Sequence, residues 1–322
     1  NTMRDEDEGC ETTTDNPHEQ CTQKSFNARC AQASTNASDG ARYAVGTMIW
    51  TLFDYYGEPS GVWPEVSSSY GQFDLAGFPK AAAHWYRTEW LLRPADGPDK
   101  PFATSGAHAV RLVETWEPPS AFPSTRANKS RDVHVYTSAP AVELFVNGVT
   151  AGVRHVSSMG SGGPTWAEWA QVPWESGTIV ARALDADGRT VATDQRVTNG
   201  APTALMLTLD APSERTGTGT ALVADGHDAA LVRASVVDAS GAVVWSASHN
   251  VTFRVASGPG EVLGAHNGDV RCHEPSGAHW HSAYHGLVRA VVRVTSLAAR
   301  RPAERALMAT IDTRGRGALR VG

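Results

Sequence analysis

Three groups of residues carry side chains able to do chemistry. Near the C-terminus, Cys272, His273, His279, His281 and His285 fall within one short segment. Zinc ligands are drawn from Cys and His, but the spacing C-H-x₅-H-x-H-x₃-H matches no compact zinc motif. The segment therefore reads as a structural loop, and no metal or other cofactor is assigned to the chain. At the other end Asp5, Glu6, Asp7, Glu8 and Glu11 form an acidic run, which on composition alone is a solvated charged stretch. Between them lie Trp50, Asp54, Tyr55, Glu58 and Trp63. A flat indole can stack on the apolar face of a ring-shaped ligand, and a carboxylate can accept hydrogen bonds from its hydroxyls. Against this stand the ordinary roles of Trp in a core and of Asp as a loop cap. Asp210, Asp225, Asp228 and Asp238 read as turn residues rather than calcium ligands.

The elements that must position these groups can be read from periodicity. Residues 1 to about 40 are polar and without apolar period, a long loop or inserted segment. Ala44–Phe53 is a continuous apolar run, the pattern of a strand buried on both faces. From Asp54 to Pro79 the chain is rich in Gly, Pro, Ser and aromatics, a long ordered loop. Lys80–Leu92 has no breaker and carries Ala82, Trp85, Tyr86, Glu89 and Trp90 near helical spacing. Arg93-Pro94 then ends the helix. Strand, loop and helix make one βα unit. A lone unit of this kind cannot bury both faces of its strand, so its neighbouring strands and helices are expected upstream of Asn1. The opening Asn-Thr-Met-Arg-Asp-Glu, neither an initiator Met nor a signal peptide, is read as a cut inside a longer protein.

After a linker at 95–106 the period switches to two. Val142–Val146 alternates and is followed at once by Asn147-Gly148, a strong hairpin signal. Trp166, Trp169 and Trp174 lie on another candidate strand. Thr178–Leu184 and Arg189–Val197 flank Asp185–Gly188, a second hairpin. Beyond Ala201, strands are expected at Leu205–Asp210, Ala221–Ala224, Ala229–Asp238, Ala242–Trp245, Val251–Ala256 and Leu287–Val294, with a turn at Asp238–Gly241. Short strands with frequent turns suggest sandwiches. The expected architecture is multidomain α+β, mostly β: the C-terminal piece of a (β/α)₈ barrel over 1–94, then immunoglobulin-like β-sandwiches over 95–200 and 201–322.

Composition narrows the partners. Of the 322 residues 41% are hydrophobic and 19% charged, an ordinary globular balance. A net charge of -6 argues against a general nucleic-acid binder. The absence of an apolar run of about 18 residues argues against a membrane-spanning helix. The cysteines are Cys10, Cys21, Cys30 and Cys272, and a Cys21–Cys30 disulfide across a polar loop would need an oxidising compartment. With sequons at Asn36, Asn128 and Asn250, secretion is favoured.

The block from Gly46 to Trp90, GTMIWTLFDYYGEPSGVWPEVSSSYGQFDLAGFPKAAAHWYRTEW, closely resembles the end of the catalytic barrel in family-2, β-galactosidase-like glycoside hydrolases. Trp50–Pro59, Trp63-Pro64, Ser68–Gly71 and Asp74–Lys80 carry that resemblance. Val133–Thr137 with Val142–Gly148, and Ala224–Ala230, Val251–Phe253, Gly258–Gly260 and Asn267–Asp269, resemble the sandwiches that follow the barrel. The resemblance covers about residues 44–300.

It implies a retaining hydrolase of terminal β-linked sugars, galactosides foremost, working by double displacement between two carboxylates about 5–5.5 Å apart. The nucleophile is expected shortly before the Trp-Thr-x-Phe-Asp block, often as Ser-Glu-x-x-x-Cys. Glu6, four residues before Cys10, fits that spacing, although Asp5 replaces the Ser; Glu8 and Glu11 compete with it. Trp50, Asp54, Tyr55 and Trp63 would shape the sugar subsite. The general acid/base would follow an Asn, and no Asn-Glu dipeptide occurs here, so the chain alone is expected to be inactive. The rival reading is a non-catalytic carbohydrate-binding or adhesion module, with Trp166 and Trp169 as a sugar platform, or a pseudo-enzyme fragment.

Overall fold

A computed structural model describes residues 50–59, 63–92, 108–118, 130–157, 164–211, 226–295, 306–312 and 319–320. Glu6, Glu8, Glu11, Cys10, Cys21, Cys30, Ala44–Ile49, the 95–106 linker and Ala221–Ala224 lie outside these residues. The described residues are mostly β. They fall into two compact units. The first holds the chain up to Asp54, Ser69–Asp74 and Phe78–Thr198; the second holds Tyr55–Ser68, Leu75–Gly77 and the chain from Asn199.

In the first unit one helix precedes the strands. Helix α1 (Ala81–Arg87) continues as a wider π turn over Thr88–Leu92. The Thr88 hydroxyl donates to the His84 carbonyl at 2.9 Å. Ala81, Ala82, Trp85 and Tyr86, at helical spacing, are buried, and Ala81, Trp85 and Tyr86 pack with Val113 and Tyr136. The helix is thereby cemented to the sheet region that follows it.

The strands of the second unit that come first in the chain are β1 (Tyr55–Tyr56) and β2 (Ser67–Ser68), an antiparallel pair. The first unit then contributes β3 (Val110–Leu112), β4 (Ser130–Thr137), β5 (Ala141–Val146), β6 (Val149–His155), β7 (Ala167–Pro173), β8 (Thr178–Leu184) and β9 (Thr190–Val197). They form two antiparallel sheets, ordered β3-β4-β7 and β6-β5-β8-β9. Val133, Val135 and Trp169 from the first sheet meet Val142, Leu144, Ile179 and Ala181 from the second in one core. Alternation produces this directly, since every second residue of a strand faces inward.

Both sequence-signalled hairpins form here. Asn147 and Gly148 take φ of +49° and +83°, the left-handed pair that a two-residue turn between β5 and β6 requires. The Asn147 side chain also accepts from Thr178 N–H at 2.8 Å and donates to the Ser176 carbonyl at 3.1 Å. At the other hairpin Asp185 Oδ1 accepts from the N–H groups of Asp187 and Arg189. Trp169 is only 3% exposed, with the Arg154 guanidinium 5.5 Å above its ring, and Trp166 packs beside the helix cluster. A sugar platform at these two residues is therefore overturned: strand register turns Trp169 into the core.

The second unit continues with β10 (Ala204–Ala211), β11 (Ala229–Val237), β12 (Asn250–Ser257), β13 (Gly260–His266), β14 (Trp280–Ser282), β15 (Leu287–Val294), β16 (Ala306–Asp312) and β17 (Leu319–Arg320). Sheets β10-β11-β15-β13 and β14-β12-β16-β17 are antiparallel. Val232, Ala234 and Val236 of β11, Val251 and Phe253 of β12, Val262 of β13, and Val288 and Ala290 of β15 share a core. The strand expected at Ala242–Trp245 is instead a turn with a single bridge at Val243. Asp238 Oδ1 takes the Ser240 and Ala242 N–H groups, at 2.8 and 3.0 Å, so those amides cannot enter a ladder. Strand β13 was not expected, because its two glycines and the Gly258-Pro259 flank mask a short alternation.

Candidate functional site

The apolar run ending at Phe53 is described only from Trp50 onward. Trp50–Phe53 makes one parallel bridge, Phe53 to Phe73, and belongs to no longer strand. Trp50 is 70% exposed, and Leu52 and Phe53 are also exposed. The expectation of a strand buried on both faces is not met there, because no described strand lies alongside to cover it. What fixes this segment is backbone pairing with the 70–73 stretch. Thr51 N–H donates to Tyr70 O, Gln72 N–H to Thr51 O, Phe73 N–H to Leu52 O and Asp54 N–H to Phe73 O, at 2.8–3.2 Å. Phe53 and Phe73 also stack, ring centroids 5.4 Å apart. The Trp50–Thr51 peptide is cis.

Asp54 anchors the end of this ladder. Its Oδ1 accepts from the Gly71 N–H at 2.8 Å and from the Lys80 ammonium at 2.5 Å. Lys80 also donates to the Ser69 carbonyl at 2.8 Å, and its own N–H donates to Gln72 O at 2.9 Å. Lys80 thus ties the start of α1 to both strands of the ladder. Burial pushes the Asp54 carboxyl up to about 6, even though the Lys80 charge and hydrogen bonds pull it the other way. Burial likewise lowers Lys80, opposed by Asp54. Both directions report that desolvation outweighs mutual attraction. Asp54 Oδ2 is buried with no hydrogen-bond partner.

Gly71 is dictated by this close approach. A Cβ there would lie 2.1 Å from Asp54 N, 2.3 Å from the Phe53 carbonyl carbon and 2.5 Å from Phe73 O. Only hydrogen fits. Next to it, Asp74 Oδ1 accepts from Phe78 N–H at 2.8 Å and closes the turn that delivers Lys80.

The remaining aromatic residues belong to the second unit. Tyr55 donates its hydroxyl hydrogen bond to Glu58 Oε2 at 2.9 Å. The Tyr56 hydroxyl lies 2.7 Å from Ser276 Oγ. Trp63 is exposed and meets His273 edge-on, centroids 4.7 Å apart, while His273 Nε2 is 2.9 Å from the Pro64 carbonyl. Val66 N–H donates to Val270 O at 3.0 Å. The loop carrying Tyr55 and Trp63 is therefore docked on the 270–276 segment. Sequence reasoning named Trp50, Asp54, Tyr55 and Trp63 but gave Lys80 and Gly71 no role. The Ser68–Gly71 and Asp74–Lys80 motifs held both, and only tertiary approach reveals that they meet Asp54.

Comparisons with known proteins agree on one family. Residues 216–300 match the family model for glycoside hydrolase family 2 C-terminal domain 5, and residues 128–192 match a domain of unknown function, DUF4982. The chain is 32% identical over 228 residues to the β-galactosidase BoGH2A of Bacteroides ovatus, a match covering 70% of this chain and 23% of that protein. It is 27% identical over 243 residues to a β-glucuronidase of Formosa agariphila, covering 75% and 21%. Among solved structures, a β-glycosidase from Bacteroides vulgatus superposes with a TM-score of 0.63 at 25% identity, covering 82% of this chain and 28% of that one. The chain spans less than a quarter of the length of these curated relatives. No described helix is long and apolar enough to cross a membrane. The chain belongs to glycoside hydrolase family 2, and what it matches there is the family's C-terminal portion.

Proposed function

We propose that this chain forms the end of a catalytic (β/α)₈ barrel, over residues 1–94, and the two sandwiches that follow it in a retaining β-glycosidase. The single observation that supports this most is the exposed indole of Trp50, held on a backbone ladder that Asp54, Gly71 and Lys80 lock in place. A rigid, solvent-facing indole at the end of a barrel strand suits stacking on the apolar face of a sugar. The substrate is a terminal β-linked sugar, with β-galactosides first. Glu6 is the proposed nucleophile. Its carboxylate attacks the anomeric carbon while a second carboxylic acid, supplied by the upstream barrel, gives its proton to the departing oxygen. Water then breaks the glycosyl–enzyme ester as that group takes the proton back. Asp54 and Lys80 position Trp50 within this scheme, and Tyr55 and Trp63 belong to the subsite rim. Secretion is part of the same proposal, supported by the sequons.

The test uses the full reading frame. A 2-deoxy-2-fluoro-β-galactoside should label Glu6, located by peptide mass spectrometry, and Glu6→Gln should lose turnover by at least about 10⁴-fold. Trp50→Ala should raise KM for a chromogenic β-galactoside. Label on another carboxylate would remove Glu6 from the scheme, and faster turnover of β-glucuronides or β-mannosides would reassign the sugar. Residues 1–322 alone should show no turnover, because one carboxylate cannot serve both roles.

A further inference from the structure

We propose that Cys272, Glu274 and His281 form a binding site for a divalent transition-metal ion, with zinc the best fit. Their ligand atoms lie within 4.8 Å of one another. Cys272 Sγ is 3.7 Å from Glu274 Oε2, and that oxygen is 3.8 Å from His281 Nε2. In a tetrahedral zinc site, bonds of about 2.0–2.3 Å set ligand atoms roughly 3.3–3.6 Å apart. Two of the three edges are therefore within a few tenths of an ångström of zinc geometry, and the third, Cys272 Sγ to His281 Nε2, lies within 4.8 Å and would close on the ion.

His281 carries the argument furthest. It is 0% exposed. Its Nδ1 lies 2.8 Å from the Trp280 carbonyl; a carbonyl only accepts, so the proton sits on Nδ1. The lone pair is then on Nε2, which is buried, faces the cluster and has no hydrogen-bond partner. A buried acceptor left unpaired is costly, and a metal ion would satisfy it. Ring orientation by a backbone carbonyl is how metal-bound histidines are usually held.

The other two ligands are held in the same way. Glu274 accepts from Ser282 N–H at 2.8 Å through Oε2 and from the Ser282 hydroxyl at 2.5 Å through Oε1. Asn267 Nδ2 approaches Cys272 Sγ at 3.6 Å and donates to Ser282 O at 2.9 Å. The Cys272 thiol now points its proton toward Glu274 Oε2. On binding, the metal takes that place and the proton leaves to solvent. One sulfur, one imidazole nitrogen and one carboxylate oxygen suit zinc better than magnesium or calcium, which prefer all-oxygen sites. Cys272 and Glu274 are partly exposed, so a water can complete the tetrahedron. The ion would clip the 272–274 segment to β14. The spacing alone conceals the site, because one ligand is a glutamate.

Zinc binding to the 322-residue chain, measured by competition with a chromogenic chelator, tests this. A background variant with Cys10, Cys21 and Cys30 all changed to Ser isolates the site. One equivalent of zinc is expected in both proteins, and cobalt should give a thiolate charge-transfer band. In that background Cys272→Ser should weaken zinc binding by more than about 100-fold, and Ser282→Ala by about 10–100-fold. Zinc should raise Tm in the background variant but not after Cys272→Ser, whose zinc-free melt reports that it folds. No zinc binding by the background variant, or binding unchanged by Cys272→Ser, overturns the proposal.

Discussion

Lys80 places its ammonium 2.5 Å from Asp54 Oδ1, with both side chains only 1% exposed. Removing one member of such a pair leaves an uncompensated charge in the interior. Lys80→Met should therefore lower stability by about 3–5 kcal/mol. The double variant Asp54→Asn, Lys80→Met should recover most of that loss, since a neutral pair has no charge to desolvate. Chemical denaturation of the parent, Lys80→Met, Asp54→Asn and the double variant measures the coupling. Equal destabilisation by the single and double variants would mean that packing, not charge, holds the ladder.

The pH dependence of stability has a definite sign at two carboxylates. Asp54 titrates higher in the folded protein, about 6, than its ordinary 3.8. Folding then takes up a proton between those values, so this contribution is fully present below pH 3.8 and is lost as pH rises through 6. Asp238 is the reverse. The Gly200 N–H, at 2.7 Å, the Ser240 hydroxyl and further amides hold it down at about 2. Its contribution is present above pH 3.8 and is lost as pH falls through 2. Asp54→Asn should flatten the urea midpoint between pH 4 and 6, and Asp238→Asn between pH 4 and 2. Unchanged profiles would contradict the two assignments.

Two glycines separate crowding from backbone strain. Gly71→Ala would push a methyl against three backbone atoms at 2.1–2.5 Å. A cost of about 3 kcal/mol or more is expected, since backbone cannot yield as a side chain can. Gly57 has φ +82° but nothing within 4 Å of an added Cβ. Gly57→Ala should cost only about 1–2 kcal/mol. Similar costs at both positions would mean that the 70–73 stretch yields easily.

The burial of Trp169 decides between core and platform. Trp169→Ala should lower stability by about 3–5 kcal/mol and leave retention on immobilised sugars unchanged. Loss of sugar retention without loss of stability would restore the binding-module reading.

Elements with a strong local code were legible in the sequence. Asn147-Gly148 specified its hairpin because few residue pairs tolerate two positive φ values, and the alternation of Val142–Val146 marked β5 as a strand. Ala242–Trp245 misled because its apolar content says nothing about where amide hydrogens go: Asp238 takes that of Ala242, and the segment makes only a single bridge to the end of β11. Within the candidate site the named aromatics came from motif matching. The partners that hold them did not, since Asp54, Gly71 and Lys80 meet only after the chain has folded back across 26 residues. The Cys272 group was set aside by counting Cys and His alone, when its third member, Glu274, is a carboxylate.

The division of the chain has a practical corollary. Tyr55–Ser68 and Leu75–Gly77 belong with the residues beyond Asn199, while the intervening Ser69–Asp74 does not. Each unit thus draws on separated stretches of the sequence. Excision at residue 199 would strip the C-terminal piece of Tyr56, Pro64 and Val66, and with them the partners of Ser276, His273 and Val270. A protease cutting there should leave Tyr55–Ser68 of the larger product still paired with the 270–276 segment of the smaller, and swapping this end between family members would demand that both short inserts travel with it.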